Sequence, residues 1–202
     1  MFTGIVAAVG RISKIEPLGQ ADAGLRLTIE AGALGLDDVA LGDSIAIQGA
    51  CMTVVEKAGN SFAIDISRES LSKTIGLDGL SEVNLEKAVS LSTKLGGHLV
   101  TGHVDGIGEV VKFAAVGESH ELVVRAPREL AKFIAYKGSV TVNGVSLTVN
   151  SVADVAGGAE FSINLIPHTI AATTLKALAP GVKVNLEIDL IARYVERMLG
   201  AK

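Results

Sequence analysis

The sequence predicts an all-β protein: two similar closed barrels followed by one amphipathic helix. Three features carry that expectation. One unit is written twice, its segments are short β-rich runs broken by glycine, and the final stretch spaces its apolar residues with a helical period.

The repeat appears on alignment. FTGIVAAVGRI at 2–12 matches VTGHVDGIGEV at 100–110, a shift of 98. GDSIAIQGACMTVV at 42–55 matches GSVTVNGVSLTV at 138–149, and Cys51 falls on Ser146 at a shift of 95. FAIDISRES at 62–70 matches FSINLIPHT at 161–169 at 99, and VNLE at 83–86 matches VNLE at 184–187 at 101. The order is kept and the shift drifts by a few residues, as loop insertions produce. Two copies are too few for a solenoid. The chain therefore reads as two domains, 1–97 and 98–189, divided near Leu95-Gly96-Gly97, with 190–202 outside both.

Each copy is mostly strand. IVAAVGRISKI, LRLTIE, SIAIQ, CMTVV and FAIDIS are apolar or alternating runs, matched by HVDGIGEVV, HELVVRA, SVTV, VSLTVNSV and FSINLI. Asn143-Gly144 between β-branched runs predicts a type I′ hairpin, whose two central residues both need positive φ. Gln48-Gly49 occupies the matching place with a residue less suited to that backbone. About six strands per copy, with a short helix near SRESLSKTI or HTIAATTLKAL, suit a small barrel, because closure removes exposed sheet edges. In LIARYVERML at 190–199, Ile191, Tyr194, Val195 and Met198 recur at i, i+3, i+4 and i+7 on one helical face. So short a terminal helix takes its stability from packing, either on its own barrel or on other subunits.

Composition narrows the function. Of 202 residues 49% are apolar and only 3% aromatic, so the core must be aliphatic. The net charge of −4 argues against nucleic acid as a partner. A single cysteine excludes an internal disulfide and a cysteine metal cluster, and the four scattered histidines show no ligand spacing. MFTGIVAAVG lacks the features of a signal peptide, and no apolar run reaches the ~18–20 residues of a membrane span, so the cytoplasm is the expected compartment.

No phosphate loop, nucleophile elbow or dinucleotide fingerprint is present. Candidate chemistry comes instead from comparing the copies. Thr3 and Thr101, Gly4 and Gly102, Ser44 and Ser139, and Thr53 and Thr148 are unchanged. Polar side chains beside strands often satisfy backbone groups. Four other pairs change type within the best-matched segments: Ile5 with His103, Cys51 with Ser146, Arg68 with Pro167, and Glu69 with His168. His103 is either structural or a general acid or base. Cys51 is either a small buried hydrophobe or a thiolate, which needs a positive neighbour. Lys137 is either solvated or covers a ligand's polar tail. His98 and His120 read as surface or structural residues.

Taken together, MFTGIV, GACMTV, GGHLVTGHVDG, NGVSLTV, NLIPHT and NLEID with YVERML resemble riboflavin synthase of the alpha-chain type over nearly the whole chain. The departures are small: Met52 stands where the family usually has Leu, and Gln48 where Asn is common. The resemblance implies two six-stranded Greek-key barrels, each binding one 6,7-dimethyl-8-ribityllumazine, and a C-terminal helix that helps form a homotrimer. It implies four-carbon transfer between the two lumazines, giving riboflavin and 5-amino-6-(ribitylamino)uracil without cofactor or metal. Lumazine synthase is a further expected partner.

Carried over by position, Gly4, Ile5 and Val6 match the family's first-barrel turn, and Cys51, Met52 and Thr53 its strand. Asp65, Ile66, Ser67, Arg68, Glu69 and Ser70 match the segment that holds the ring and ribityl chain. In the second barrel Gly102, His103 and Val104 match the turn, Lys137 a ribityl-side lysine, and Ser146, Leu147 and Thr148 the strand. Asn164, Leu165, Ile166, Pro167, His168 and Thr169 match the last segment. Ser44, Cys51, His103, Ser146 and Asp189 are the candidates for chemistry, with Ser146 or His103 assisting methyl deprotonation and Cys51 or a water adding to the acceptor ring. The nearest rival is a non-catalytic lumazine- or flavin-binding protein with one decayed pocket, but both halves here keep their residue sets. A flavin reductase barrel would need a nucleotide-binding partner domain for which no residues remain.

Overall fold

A computed structural model describes residues 1–19 and 23–200. The first copy is a closed barrel of β1 (Ala8–Pro17), β2 (Leu25–Glu30), β3 (Ser44–Ile47), β4 (Ala50–Ala58), β5 (Ser61–Ile66) and β6 (Glu82–Lys87). Its spatial order is β1-β2-β5-β4-β3-β6, closed by the antiparallel β6–β1 pair. The meander β3-β4-β5 with β6 returning beside β3 is a Greek key. A short helix, α1 (Arg68–Lys73), follows β5 and is capped by Ser67.

The second copy holds β7 (Gly106–Val116), β8 (Ser119–Pro127), α2 (Arg128–Ala131), β9 (Ser139–Val142), β10 (Val145–Thr148), β11 (Ser151–Val155), β12 (Gly158–Leu165), α3 (Pro167–Ala172), a 3-10 turn at Thr174–Ala177, β13 (Lys183–Ile188) and α4 (Leu190–Gly200). Its sheet runs β10-β9-β13-β7-β8-β12-β11. This copy has one strand more than the six expected, for a local reason. The run VSLTVNSV bends at Val149–Asn150 and is split into β10 and β11, so the two ends of the curled sheet are consecutive pieces of one strand. The matching place in β4 is a bulge between Val54 and Glu56, where pairing with β5 slips. The extra residue in β4 bends that strand where the second copy breaks its own.

Each copy buries its own aliphatic core. Ile12, Leu27, Ile29, Ile45, Ile64 and Leu85 centre the first. Leu122, Val124, Val142, Phe161, Ile163 and Leu186 centre the second. A small third cluster of Phe2, Ala46 and Val100, with Cys51 packed against it, lies apart from both.

Two hairpin turns join the barrels. Gln48 and Gly49 have φ of 51° and 88°, and Asn143 and Gly144 have 50° and 80°, so both turns adopt the left-handed pair expected of type I′. The turns meet backbone to backbone: a Cβ on Gly144 would lie 2.9 Å from Gly49 Cα. Around them two buried asparagines reach across reciprocally. Asn84 Nδ2 donates to Asn143 O at 2.9 Å, and Asn185 Nδ2 donates to Gln48 O at 3.0 Å. Asn84 Oδ1 accepts from Thr174 N, and Asn185 Oδ1 from Ile75 N, each at 2.8 Å. Gln48 tolerates its backbone because its Oε1 accepts from Asn84 N at 2.9 Å, as Asn143 Oδ1 accepts from Asn185 N at 2.8 Å.

The α4 helix leaves its apolar stripe uncovered. Ile191, Tyr194, Val195 and Met198 are 62%, 62%, 47% and 70% exposed. Among the described residues no helix is long and apolar enough to cross a membrane.

The asparagine clasp predicts a specific loss. Asn185→Ala strands the Gln48 carbonyl and both backbone groups of Ile75, and unmet buried groups cost about 1–3 kcal/mol each. Urea denaturation should show a lower midpoint, by at least ~2 kcal/mol of stability; an unchanged midpoint would mean the clasp is redundant.

Candidate functional site

Each copy opens with a Thr-Gly turn seated on a buried glutamate. Thr3 N and Oγ1 both donate to Glu86 Oε1 at 2.7 Å, and Gly4 N donates to Oε2 at 3.0 Å. Thr101 and Gly102 make the same three bonds to Glu187, at 2.7, 2.7 and 3.0 Å. Burial pushes both carboxyls above the usual range, while the threonine and glycine donors oppose that rise.

From these seats the turns cross over. Gly4 O accepts from Ser146 N, and Gly102 O accepts from Cys51 N, both at 2.7 Å. Phe2 and Val100 pair antiparallel between them. The glycines are required: both have φ of +76°, and a Cβ would lie 2.6 Å from Ser146 Cβ at Gly4 and 2.7 Å from Cys51 Cβ at Gly102. Beyond them Val6 packs on the second barrel's core and Val104 on the first.

The crossing sets each turn against the opposite barrel. Gly4, Ile5 and Val6 stand against Ser146 of the second barrel rather than completing the first. Gly102, His103 and Val104 stand against Cys51 of the first rather than completing the second. The cause is the Phe2–Val100 pairing, which carries each turn past its own barrel.

Both candidate strands also open a slot. In β4 the pairing with β5 begins at Val54 opposite Ile64, and Cys51, Met52 and Thr53 lie before it. In the second copy β11 begins pairing with β12 at Ser151 opposite Ser162, and Ser146, Leu147 and Thr148 lie before that. Alternate residues of a hairpin turn their N–H and C=O away from their partner, and Cys51 does so toward Gly102. Met52, Ile66, Leu147 and Leu165 are buried core side chains, so only their backbones are available at these slots. Ser44 lies opposite Thr53 in β3, half-buried.

The remaining candidates have varied surroundings. The Arg26 guanidinium donates to Asp65 at 2.7 and 2.9 Å and holds that carboxyl below its usual range. Ser67 Oγ accepts from Ser70 N at 3.0 Å as the α1 cap. Arg68, Glu69, Asn164, Pro167 and His168 face solvent, while Ser70 and Thr169 are half-buried. Ile5 and Ile166 are exposed despite being large and apolar. Lys137 Nζ reaches Asn150 Oδ1 at 3.1 Å.

The second copy carries a side-chain cluster the first lacks. His98 Nδ1 lies 2.7 Å from Ser146 Oγ, with the donor set by the tautomer. Gly97 packs over the same serine, and a Cβ there would lie 2.8 Å from Oγ. His98 Nε2 is buried without a protein partner among the described residues. Burial lowers the His98 pKa, and the Asp189 charge opposes this. Asp189 Oδ1 in turn accepts from Ile191 N at 2.9 Å, at the start of α4. His98 is thus the imidazole on Ser146. His103 is exposed on the turn beside Cys51. No aligned counterpart of His98 exists, because it precedes the second copy's first matched residue. Comparing copies therefore could not find it; GGH immediately before the repeat was the only signal. His120 stacks on Phe113 with ring centres 5.1 Å apart, and its backbone pairs with Leu165.

Comparisons with known proteins match the duplicated unit. The lumazine binding domain model matches residues 3–88 and again 101–189. Riboflavin synthases of Photobacterium phosphoreum and Brucella abortus are 44% and 42% identical over 205 residues, covering 98% of this chain and 89% and 98% of theirs. That of Mycobacterium tuberculosis is 44% identical over 208 residues, covering 98% of both chains. The chain belongs to the riboflavin synthase family. Two solved structures share the architecture of this family member. LumP complexed with 6,7-dimethyl-8-(1'-D-ribityl) lumazine superposes with a TM-score of 0.79 at 26% identity, covering 93% of this chain and 99% of that one. LumP complexed with riboflavin gives 0.81 at 27%, with the same coverage. Both matched repeats of the riboflavin synthase family begin at the threonine of a crossing turn, Thr3 and Thr101.

The crossing turn generates a local prediction. Gly102→Ala should speed backbone amide exchange at Cys51 by about tenfold or more, since that amide loses its acceptor. Unchanged exchange would show that the turn is not held there.

Proposed function

We propose that this chain is a riboflavin synthase, converting two molecules of 6,7-dimethyl-8-ribityllumazine into riboflavin and 5-amino-6-(ribitylamino)uracil. The observation that carries this reading is the duplicated turn-and-strand site in a chain similar over almost its full length to riboflavin synthases. The two products together contain every atom of the two substrates. The transfer therefore needs no outside oxidant or reductant and consumes no water overall.

One ring site consists of Cys51–Thr53, the Gly102–Val104 turn and the segment 65–70. The other consists of Ser146–Thr148, the Gly4–Val6 turn, Lys137 and the segment 164–169. Backbone groups along each slot read the edge of a flat heterocycle, and exposed Ile5 and Ile166 supply apolar surface. The lumazine 7-methyl is acidic because its anion delocalises through the ring system. Ser146 Oγ takes the methyl proton as it passes its own hydroxyl proton to neutral His98 Nδ1, which is left as imidazolium. Cys51, Ser44 or a water adds to the acceptor ring and is expelled again before the products leave, so it is regenerated. Holding two rings in register can supply roughly 7–11 kcal/mol of the barrier, which suits a site without strong nucleophilic machinery.

Two like rings must meet, and one chain leaves its slots and the α4 stripe open. Assembly as a homotrimer through α4 brings the first barrel of one subunit against the second barrel of its neighbour. The reading places the protein in the cytoplasm. A purely lumazine-binding role is less favoured, because both halves keep a complete turn and strand.

The direct test is incubation of the pure protein with the dimethyl-ribityllumazine. Riboflavin absorbance should rise while two lumazines disappear for each riboflavin formed; no riboflavin from a ligand-saturated protein would refute the reading. Ser146→Ala should lower turnover about 100-fold, and unchanged turnover would remove Ser146 from the chemistry. The pKa of His98 is lowered, so its charged form is disfavoured in the fold. Its neutral form persists below the ordinary histidine value of about 6.5 and is lost as pH falls further. Turnover should show an acid limb below that value which His98→Gln abolishes; a limb retained in the variant would assign it elsewhere. Deleting residues 190–199 should give monomers that bind ligand but turn over poorly, and full activity in a proven monomer would contradict the assembly.

A further inference from the structure

We propose that Asp105 and Arg193 are positioning residues for the first barrel's ring site, acting through the turn at 101–104. The proposal deepens the riboflavin synthase reading and rests on it.

The backbone of the two crossing segments is alike at their far ends. Ala7 N donates to Leu85 O at 2.9 Å, and Asp105 N to Leu186 O at 2.8 Å. The side chains differ. Asp105 adds a carboxylate that spans the end of β13 and the start of α4. Its Oδ2 accepts from Ile188 N at 2.9 Å, and Arg193 Nη2 donates to both oxygens at 2.6 and 2.8 Å. The Asp105 side chain is only 12% exposed. The first copy has Ala7 at this place and no helix after β6 to supply an arginine.

The tether acts on chemistry at its other end. Residues 101–105 wrap β13, gripped by Glu187 at one end and by Asp105 at the other. The Asp105 charge works against ionisation of Glu187, so an unpaired Asp105 would loosen the Thr101–Gly102 seat as well. Arg193 offsets that charge. The turn so held presents Gly102 O to Cys51 N and carries His103. Hence α4, whose apolar stripe is the proposed assembly surface, is linked to Cys51 through Arg193, Asp105 and the turn. Gly4–Val6, beside Ser146, has no ion pair to α4 among the described residues; His98 beside it feels only the charge of Asp189. The ionic tether therefore makes the two ring sites mechanically unequal, as one donor and one acceptor site require.

The test compares two amides in the full-length protein. In Arg193→Met, hydrogen exchange at Cys51 N should quicken about tenfold or more, while Ser146 N stays within about twofold of wild type. Turnover should fall at least about fivefold at unchanged assembly mass, and Arg193→Lys should restore part of both effects. Unchanged exchange at Cys51, or equal quickening at both amides, would overturn the proposal. So would loss of turnover that only follows loss of assembly. Asp105→Asn gives the same contrast should Arg193→Met fail to fold. If wild type makes no riboflavin, the functional reading fails, and the exchange contrast still decides the tether.

Discussion

The architecture depends on a reciprocal exchange: each half lends its opening turn to the strand of the other. Gly4 O meets Ser146 N, and Gly102 O meets Cys51 N. A buried carboxylate is tolerable only when hydrogen-bonded, and Glu86 and Glu187 each find three donors in a Thr-Gly pair. Those bonds fix where each turn leaves its own barrel. The glycine that follows is the only residue that fits against the opposite strand. Each proposed ring site therefore takes its turn from one half and its strand from the other.

Pseudo-symmetry governs the frame and asymmetry governs the candidate chemistry. The clasp of Asn84 and Asn185 around the two hairpin turns repeats almost bond for bond, as it must where two copies face each other across one axis. The departures gather elsewhere. Cys51 faces Ser146 in the alignment, His98 joins Ser146 without a counterpart, and α4 follows only the second copy. Two identical rings need similar cradles, whereas a donor and an acceptor need different side chains and different rigidity. The departures from symmetry fall in the proposed ring sites and the tether to α4.

Much of this was legible in the residues. Glycine-bounded runs marked the strands, Asn143-Gly144 marked its hairpin, and the i, i+3, i+4, i+7 stripe marked α4. The motifs named the family. Four things were hidden. The crossing of the turns depends on Phe2 pairing with Val100, a contact between the repeats that neither repeat encodes alone. His98 escaped because a search for differences between copies cannot see a residue with no partner. The split of β10 from β11 falls at Val149-Asn150, which looks like ordinary strand in sequence. Gln48 also looked unsuited to its turn, and only Asn84, distant in sequence, makes it fit.

The central claim is that each proposed ring site is built from both halves. Backbone amide NMR during titration with riboflavin tests it most directly, using Gly102→Val beside the unsubstituted protein. The account predicts that ligand-induced shifts vanish at Cys51, Met52 and Thr53 and persist at Ser146, Leu147 and Thr148. Loss at the Ser146 strand with the Cys51 strand unaffected would contradict it.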